Sequence, residues 1–135
     1  MPEAAPVPLT PAAELLGREV LSIDLHERLA RVAYLARDAF ANRHGTVQGG
    51  FLAAMLDSAC GIIVMADLPE GMTAVTRRLD TSFIRPAKVG RLIVEAKIIR
   101  REGRAVEVEA QLMDEAGLVL AKARAELRTM ERREP

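Results

Sequence analysis

The segment QGGFLAAMLDSACGIIVM, residues 48–65, combines two glycines, a long apolar run and one acid, Asp57. Its apolar residues surround the whole helical circumference, which is typical of a helix buried on nearly every side. The segment therefore predicts a central helix that begins at Gln48-Gly49-Gly50 and runs to about Met65. What covers this helix has to come from the flanking sequence.

Four β-strands are predicted after the central helix. Three of the segments alternate apolar and polar residues, so each strand has one wet face. Turn residues separate these segments, which favours an antiparallel meander. The four predicted strands are residues 73–84, 91–100, 104–113 and 118–128.

Before the central helix, the sequence predicts a short helix that stops at Gly17 and two extended segments, 18–25 and 28–36. Together these patterns predict an α+β fold in which an antiparallel sheet wraps its apolar face around one long helix. We expect a single domain over residues 1–135, with residues 1–10 as a flexible arm and residues 130–135 as a solvated tail.

Composition excludes several classes of function. Lys plus Arg equals Asp plus Glu, at 19 each, so no overall field attracts a polyanion. Three Phe, one Tyr and no Trp offer almost no stacking surface for nucleic acid. One Cys and two His argue against a metal site. The N-terminus lacks the pattern of a signal peptide and the apolar run is interrupted, so we expect a cytoplasmic protein that binds no membrane.

The glycines at the start of the central helix have two interpretations. The first backbone N–H groups of a helix lack internal partners, and glycine lets a ligand approach them closely. Gly49 and Gly50 could therefore hold an anion or a carbonyl oxygen that becomes negative during acyl transfer. Alternatively, they only make a tight turn into the helix.

Asp57 also has two interpretations. An unpaired buried carboxylate is costly, so such a residue is paired or functional. It is either a general base or acid, or an acid bonded to a neighbouring Ser or backbone group. Eight residues separate Gly49 from Asp57, which is ~12 Å along a helix, so one helix cannot present both groups to one carbonyl. Two copies running in opposite directions could, and this predicts a two-fold homodimer with shared sites.

The run Asn42-Arg-His-Gly-Thr-Val-Gln-Gly-Gly50, with Asp57 after it, resembles the signature of hotdog-fold acyl-CoA thioesterases of the phenylacetate-degradation (PaaI-like) and 4-hydroxybenzoyl-CoA thioesterase-like type. The segment FIRPAKVG, residues 83–90, and the later segments Gly103-Arg104 and DEAGLVLA, residues 114–121, extend the resemblance over roughly residues 40–128. It implies a hotdog fold, a homodimer that pairs into a dimer of dimers, and coenzyme A as part of the substrate.

The resemblance also implies roles for individual residues. Asp57 would act as nucleophile or general base, and the Gly49 N–H would polarise the thioester carbonyl. Asn42 would help to place the substrate or the attacking water, and Thr76 would orient water near the acid of its own subunit. Asn42 and Gly49 would then face Asp57 and Thr76 of the partner.

One residue departs from the family pattern: Gln48 stands where the family usually has His. Gln keeps a donor and an acceptor but carries no proton at neutral pH, so substrate positioning survives and acid catalysis from this position does not. His44, four residues earlier, is a candidate for compensation, although a loop histidine is more often solvated.

Arginines are the candidates for binding coenzyme A phosphates, since guanidinium groups pair well with phosphate. We expect Arg85, Arg101 and Arg104 to do so because they are at strand ends. Cys60 is expected to be a small core residue rather than a nucleophile.

Three functions remain open at this point. The first is hydrolysis of a small-to-medium or aryl acyl-CoA thioester, and the second is binding of acyl-CoA without hydrolysis, suggested by Gln48. The third is hydration or dehydration of acyl thioesters, which usually pairs an acid with a His and is therefore less consistent with this sequence.

Overall fold

The computed structural model describes residues 7–133. Six strands form one antiparallel sheet around a long helix, with a short helix before the first strand and one 3-10 turn, Asp38–Phe40, before the long helix. The elements in chain order are α1 (Pro11–Leu15), β1 (Glu19–Asp24), β2 (Leu29–Ala36), α2 (Gly49–Asp67), β3 (Met72–Phe83), β4 (Gly90–Glu102), β5 (Ala105–Met113) and β6 (Val119–Glu131).

The α+β architecture, with a sheet wrapped around one helix, is confirmed. The predicted short helix is α1, which ends at Leu15, and Thr10 caps its start: the Ala13 N–H donates to Thr10 Oγ1 at 3.3 Å. Residues 1–6 of the expected arm and residues 134–135 of the expected tail lie outside the described residues. Met130 and Glu131 belong to β6 rather than to a tail, since they pair with Thr73 and Met72.

The strand order is β1-β2-β4-β5-β6-β3, and it corrects the predicted four-strand meander. Only β4, β5 and β6 form a meander, and β3 pairs with β6 at the sheet edge. After β3 the chain crosses to the other side of that meander, where β4 pairs with β2. The Ile84 and Arg85 N–H groups donate to the Leu120 carbonyl along this connection, which fixes the crossing.

Helix α2 supplies much of the core, but it is not covered all round. The sheet buries eight of its residues: Leu52, Met55, Leu56, Ala59, Cys60, Ile62, Ile63 and Val64. By length and composition alone α2 could cross a membrane. The central helix of a globular domain meets the same two criteria, so this finding does not separate the two cases. A stripe at helical spacing remains partly open, and it contains Ala54, Asp57, Ser58, Gly61 and Met65.

Candidate active site

Among the residues that the structure describes, Asp57 has one hydrogen-bond partner, on the edge strand. Thr76 Oγ1 in β3 donates to Asp57 Oδ1 at 2.7 Å. Asp57 is half-buried, so the carboxylate is held in place and still reaches solvent. Neighbouring Ser58 is engaged elsewhere, since Tyr34 donates its hydroxyl hydrogen to Ser58 Oγ. The alternative was a buried acid bonded to a neighbouring Ser or backbone group; the partner in the structure is instead a threonine on another element.

A β-bulge brings Thr76 to this position. The register of β3 against β6 shifts between Thr76 and Arg78, so Arg77 is the extra residue. Before the bulge, even-numbered residues face inward: Ala74 packs on the core and Thr76 reaches Asp57. After it, odd-numbered residues do so, because Leu79 packs on the core and Phe83 contacts the start of α2. Bulges commonly re-aim a side chain beside an active site.

Asp57 and Thr76 line a cleft of about 1050 Å³. One wall is the open stripe of α2, and α1, β1 and β3 supply the remaining walls. Apolar side chains dominate the lining, among them Leu16, Ile23, Ile62 and Met65. A cleft of this size and character suits a small organic molecule, part of which would lie beside the carboxylate.

Gly49 lies outside this cleft, at the first residue of α2. Among the residues that the structure describes, the N–H groups of Gly49 and Gly50 have no acceptor, whereas the Phe51 N–H already donates to the Gln48 carbonyl. The start of α2 therefore offers two free N–H donors together with the partial positive charge of the helix dipole. These N–H groups lie about two helical turns from Asp57, so a single copy cannot bring them and the Asp57 carboxylate to the same ligand atom.

The Phe83 ring packs on Gly49. A Cβ added at Gly49 would lie 3.2 Å from Phe83 Cζ, whereas a Cβ at Gly50 meets nothing within 4 Å. Gly49 is thus partly required by local packing, and Gly50 is not. Sequence patterns do not identify Phe83 as a neighbour of the helix start, because the alternation of apolar and polar residues in β3 does not reveal the bulge that turns this ring inward.

Asn42 organises the loop before α2. Its Oδ1 accepts from the His44 N–H at 2.9 Å and from the Thr46 N–H and hydroxyl, both at 3.3 Å. The side-chain NH₂ of Asn42 has no acceptor within residues 7–133, so it remains available to a ligand. His44 is exposed, and its contact within this loop is made by its backbone N–H rather than by its imidazole ring.

Gln48 is the N-cap of α2, but its side chain makes no capping hydrogen bond. The residue is exposed, so the amide is free to turn toward a bound molecule. Its backbone is anchored because the Gln48 N–H donates to the Phe40 carbonyl at 2.9 Å. The position that the resemblance assigns to a histidine therefore retains a free polar side chain beside the helix start.

The three candidate arginines do not lie together. Arg85 follows β3 near the Gly49 end of the molecule and donates to the Val119 carbonyl at 2.6 Å. Arg101 is at the opposite end, where Asp67, the last residue of α2, forms ion pairs with Arg101 at 3.8 Å and with Arg28 at 3.5 Å. Arg104 belongs to the turn between β4 and β5 at that same end. Of these three arginines, Arg85 is the one that lies at the same end of its own copy as the free glycine amides.

Cys60 is buried, as expected for a core residue. Burial, and to a lesser extent the charge of Asp57, raises the pKa of its thiol to about 12. Because a thiolate is the reactive form, this thiol is not a nucleophile at neutral pH.

Comparison with known proteins gives the family. The family model of the thioesterase superfamily matches residues 44–121. This chain belongs to the thioesterase superfamily. The match includes the start of α2, Asp57 and Thr76, so these three lie within the region shared with the superfamily, whereas Asn42 lies just before it.

Individual relatives agree with the superfamily assignment. The chain is 38% identical to an inferred thioesterase of Ralstonia eutropha JMP134, a phenylacetic acid degradation-related protein, with a TM-score of 0.86 over 92% of each chain. An inferred esterase of Saccharolobus solfataricus is 28% identical over 82% of this chain and 76% of that protein. A second, from Deinococcus radiodurans, is 35% identical over 68% of this chain and 59% of that protein. The resemblance to phenylacetate-type hotdog thioesterases and the hotdog fold are confirmed.

Proposed function

We propose that this protein is an acyl-CoA thioesterase that hydrolyses a thioester with a small-to-medium or aryl acyl group. The observation that carries the proposal is the Asp57 carboxylate, fixed by Thr76 at 2.7 Å on the wall of an open, mainly apolar cleft. Binding clefts are mostly apolar and contain a few placed polar groups, so an oriented carboxylate that still reaches solvent suits a role in binding or chemistry.

Asp57 acts in one of two ways. As a general base, it takes a proton from water while the water oxygen bonds to the thioester carbon; the C–S bond then breaks and the coenzyme A thiolate receives the proton. As a nucleophile, its carboxylate forms an acyl anhydride with release of the thiolate, and water then cleaves the anhydride. Thr76 keeps the carboxylate oriented in both routes. The proposal includes no metal ion and no resident cofactor, since coenzyme A enters with the substrate.

The oxyanion is held by a second copy of the chain. The Gly49 N–H has no acceptor among the described residues, and it lies two helical turns from Asp57 of its own chain. We propose a two-fold homodimer in which Gly49 of one copy polarises the carbonyl beside Asp57 of the other. The free NH₂ of Asn42 and the side chain of Gln48, at the same end as Gly49, help to hold the thioester, with Gly50 allowing close approach.

Binding without hydrolysis is the second candidate, and the exposed Gln48 favours it. A glutamine beside the helix start can hold a thioester, but it cannot donate a proton to a leaving group. Calorimetry with CoA thioesters, combined with thiol detection, separates the two functions. Binding with no thiol release over hours would favour the second candidate.

Mixed dimers test the shared site directly. We would prepare Asp57→Asn and Gly49→Val chains, each expected to be inactive alone, and refold or co-express them together. A mixed dimer contains one site with both lesions and one with neither, so random pairing restores about a quarter of the parental thiol release. Asp57→Asn mixed with itself, carried through the same steps, is the control.

The result differs if each active site is built from a single chain. Every site would then contain either Asp57→Asn or Gly49→Val, and mixing the two chains would restore no activity. That outcome would reject the shared arrangement, while parental activity in both variants before mixing would reject the assigned roles of Asp57 and Gly49.

A further inference from the structure

The cleft beside Asp57 contains a polar cluster that thioester hydrolysis does not use. Ser58 and Arg18 both line the cleft, Ser58 from α2 and Arg18 from the residue before β1. Tyr34, on β2, donates its hydroxyl hydrogen to Ser58 Oγ at 2.8 Å. Polar groups in a largely apolar cleft are costly unless they are satisfied by a partner or a ligand.

The hydrogen bond from Tyr34 sets what Ser58 can do. A serine hydroxyl has one hydrogen to donate and lone pairs that accept. Tyr34 is buried, and burial raises the pKa of its phenol, so the phenol stays protonated and remains the donor to Ser58. The Ser58 hydroxyl hydrogen has no acceptor among residues 7–133, so it is available as a donor to a molecule in the cleft.

Arg18 is a second donor facing the same space. It is half-buried, and one of its guanidinium nitrogens, Nη2, donates to the Pro8 carbonyl at 2.6 Å. No carboxylate of the described residues pairs with it, although its positive charge acts on the Tyr34 phenol. The remaining guanidinium N–H groups can therefore donate to an oxygen atom of a ligand.

We propose that Ser58 and Arg18 form a subsite for an oxygen atom carried by the acyl group itself. This inference rests on the proposed thioesterase function and narrows it to acyl groups that carry a hydroxyl or carbonyl oxygen besides the thioester. The adjacent Asp57 carboxylate disfavours a carboxylate at this position, because like charges repel in a partly buried cleft. Tyr34 is a positioning residue, since it acts on the ligand through Ser58.

Matched substrates test the subsite. We would compare kcat/KM for butyryl-CoA with 3-hydroxybutyryl-CoA, and for phenylacetyl-CoA with 4-hydroxyphenylacetyl-CoA, in which the members of each pair differ by one oxygen. In the parent, the oxygenated member of at least one pair is favoured about tenfold, the size of one well-placed hydrogen bond. Ser58→Ala brings this ratio to about one, and Arg18→Met lowers it.

Ser82→Ala is the matched control, since Ser82 is exposed on the opposite face of the sheet, after the bulge of β3. It should keep the parental ratio. Equal kcat/KM within both pairs in the parent, or an unchanged ratio in Ser58→Ala, would overturn the subsite. Both kcat/KM values of a pair are measured on the same variant. A smaller fraction of active protein lowers both equally and leaves their ratio unchanged.

Calorimetry separates failure of the subsite from failure of the proposed function. If no thioester is hydrolysed, the dissociation constants of the same four CoA thioesters still report on Ser58. Preferential binding of an oxygenated member that Ser58→Ala abolishes would retain the subsite and reject hydrolysis. Equal binding of the members of both pairs would reject the subsite whether or not hydrolysis occurs.

Discussion

The hydroxyl of Thr76 donates to the carboxylate of Asp57 across 2.7 Å, and this contact ties the edge strand β3 to the middle of α2. It has two effects that can be separated. It orients the carboxylate toward the cleft, and it holds the first half of β3, a strand that pairs with β6 alone within residues 7–133.

Replacing Thr76 with Val removes the hydroxyl and keeps the β-branched shape. We expect kcat for thioester hydrolysis to fall about tenfold, because the carboxylate loses the donor that fixes its orientation. Steady-state kinetics with thiol detection measures this. Thr73→Val, on the same strand but bonded only to the Met65 sulfur, is the control and should keep the parental kcat.

Replacing Asp57 with Asn keeps the shape of the side chain and an oxygen that can accept from Thr76. We expect kcat to fall roughly 10²–10⁴-fold, the usual contribution of a general acid or base, with little change in thermal stability. Asp80→Asn, an exposed change on β3, serves as the control. An Asp57→Asn variant as active as the parent would contradict the role given to this carboxylate.

Gly61 is a site where stability and activity should change in opposite directions. A Cβ there would meet nothing within 4 Å, and the glycine interrupts the interior of α2. Gly61→Ala is therefore expected to raise the free energy of unfolding by about 0.5–1 kcal/mol. Because Gly61 lines the cleft, the added methyl group should raise KM for bulky acyl groups more than for acetyl-CoA. Denaturant unfolding and a series of acyl-CoA substrates measure the two effects.

The Cys60 thiol should resist modification in the native protein. Its pKa is raised to about 12 by burial and by Asp57, so at pH 8 it stays protonated and iodoacetamide should not inactivate the enzyme. In the unfolded chain the thiol ionises near pH 8.5. The unfolded state therefore gains stability above that pH, and the free energy of unfolding should fall between about pH 8.5 and 12.

Cys60→Ala tests the pH effect, since it should show a smaller fall over the same range. Denaturant titrations at pH 7.5 and pH 10 measure the difference. Labelling of native Cys60 at pH 8 as fast as in the unfolded chain would contradict its burial.

Arg85 is expected to contact the nucleotide of coenzyme A. Arg85→Gln should raise KM for an acyl-CoA severalfold, because a guanidinium–phosphate pair is lost. The N-acetylcysteamine thioester of the same acyl group lacks the nucleotide, so its KM should be unchanged. Arg31→Gln, on β2, is the control. A parallel rise in KM for both substrates would assign Arg85 to the acyl end or to the fold instead. Arg101→Gln and Arg104→Gln can be tested with the same pair of substrates. A rise in KM for the acyl-CoA alone would show that these distant arginines bind the nucleotide in a site completed by the second copy.

The elements of the fold were largely predictable from the sequence, because period-two alternation and turn residues are local signals. The central helix was recognisable from the apolar run around Asp57, and its glycine start from Gly49-Gly50. The pairing of β3 with β6 was not predictable in this way, since strand order depends on a crossing connection that has no periodic pattern.

The candidate site was only partly predictable. Asp57 and Thr76 were both identified in advance, but their contact depends on the extra residue at Arg77, and no alternation reveals a bulge. The Tyr34–Ser58 hydrogen bond was missed as well, because it joins residues 24 positions apart. Long-range side-chain contacts of this kind need the register of the strands, which sequence patterns do not specify.

The bulge at Arg77 also limits how this protein can change over evolutionary time. Many replacements at residue 77 itself should be neutral, since the residue is exposed. Removing it would rejoin the two halves of β3 in a regular ladder, so that either Thr76 or Leu79 and Phe83 must point to solvent. The strand therefore tolerates a change of residue type far better than a change of length.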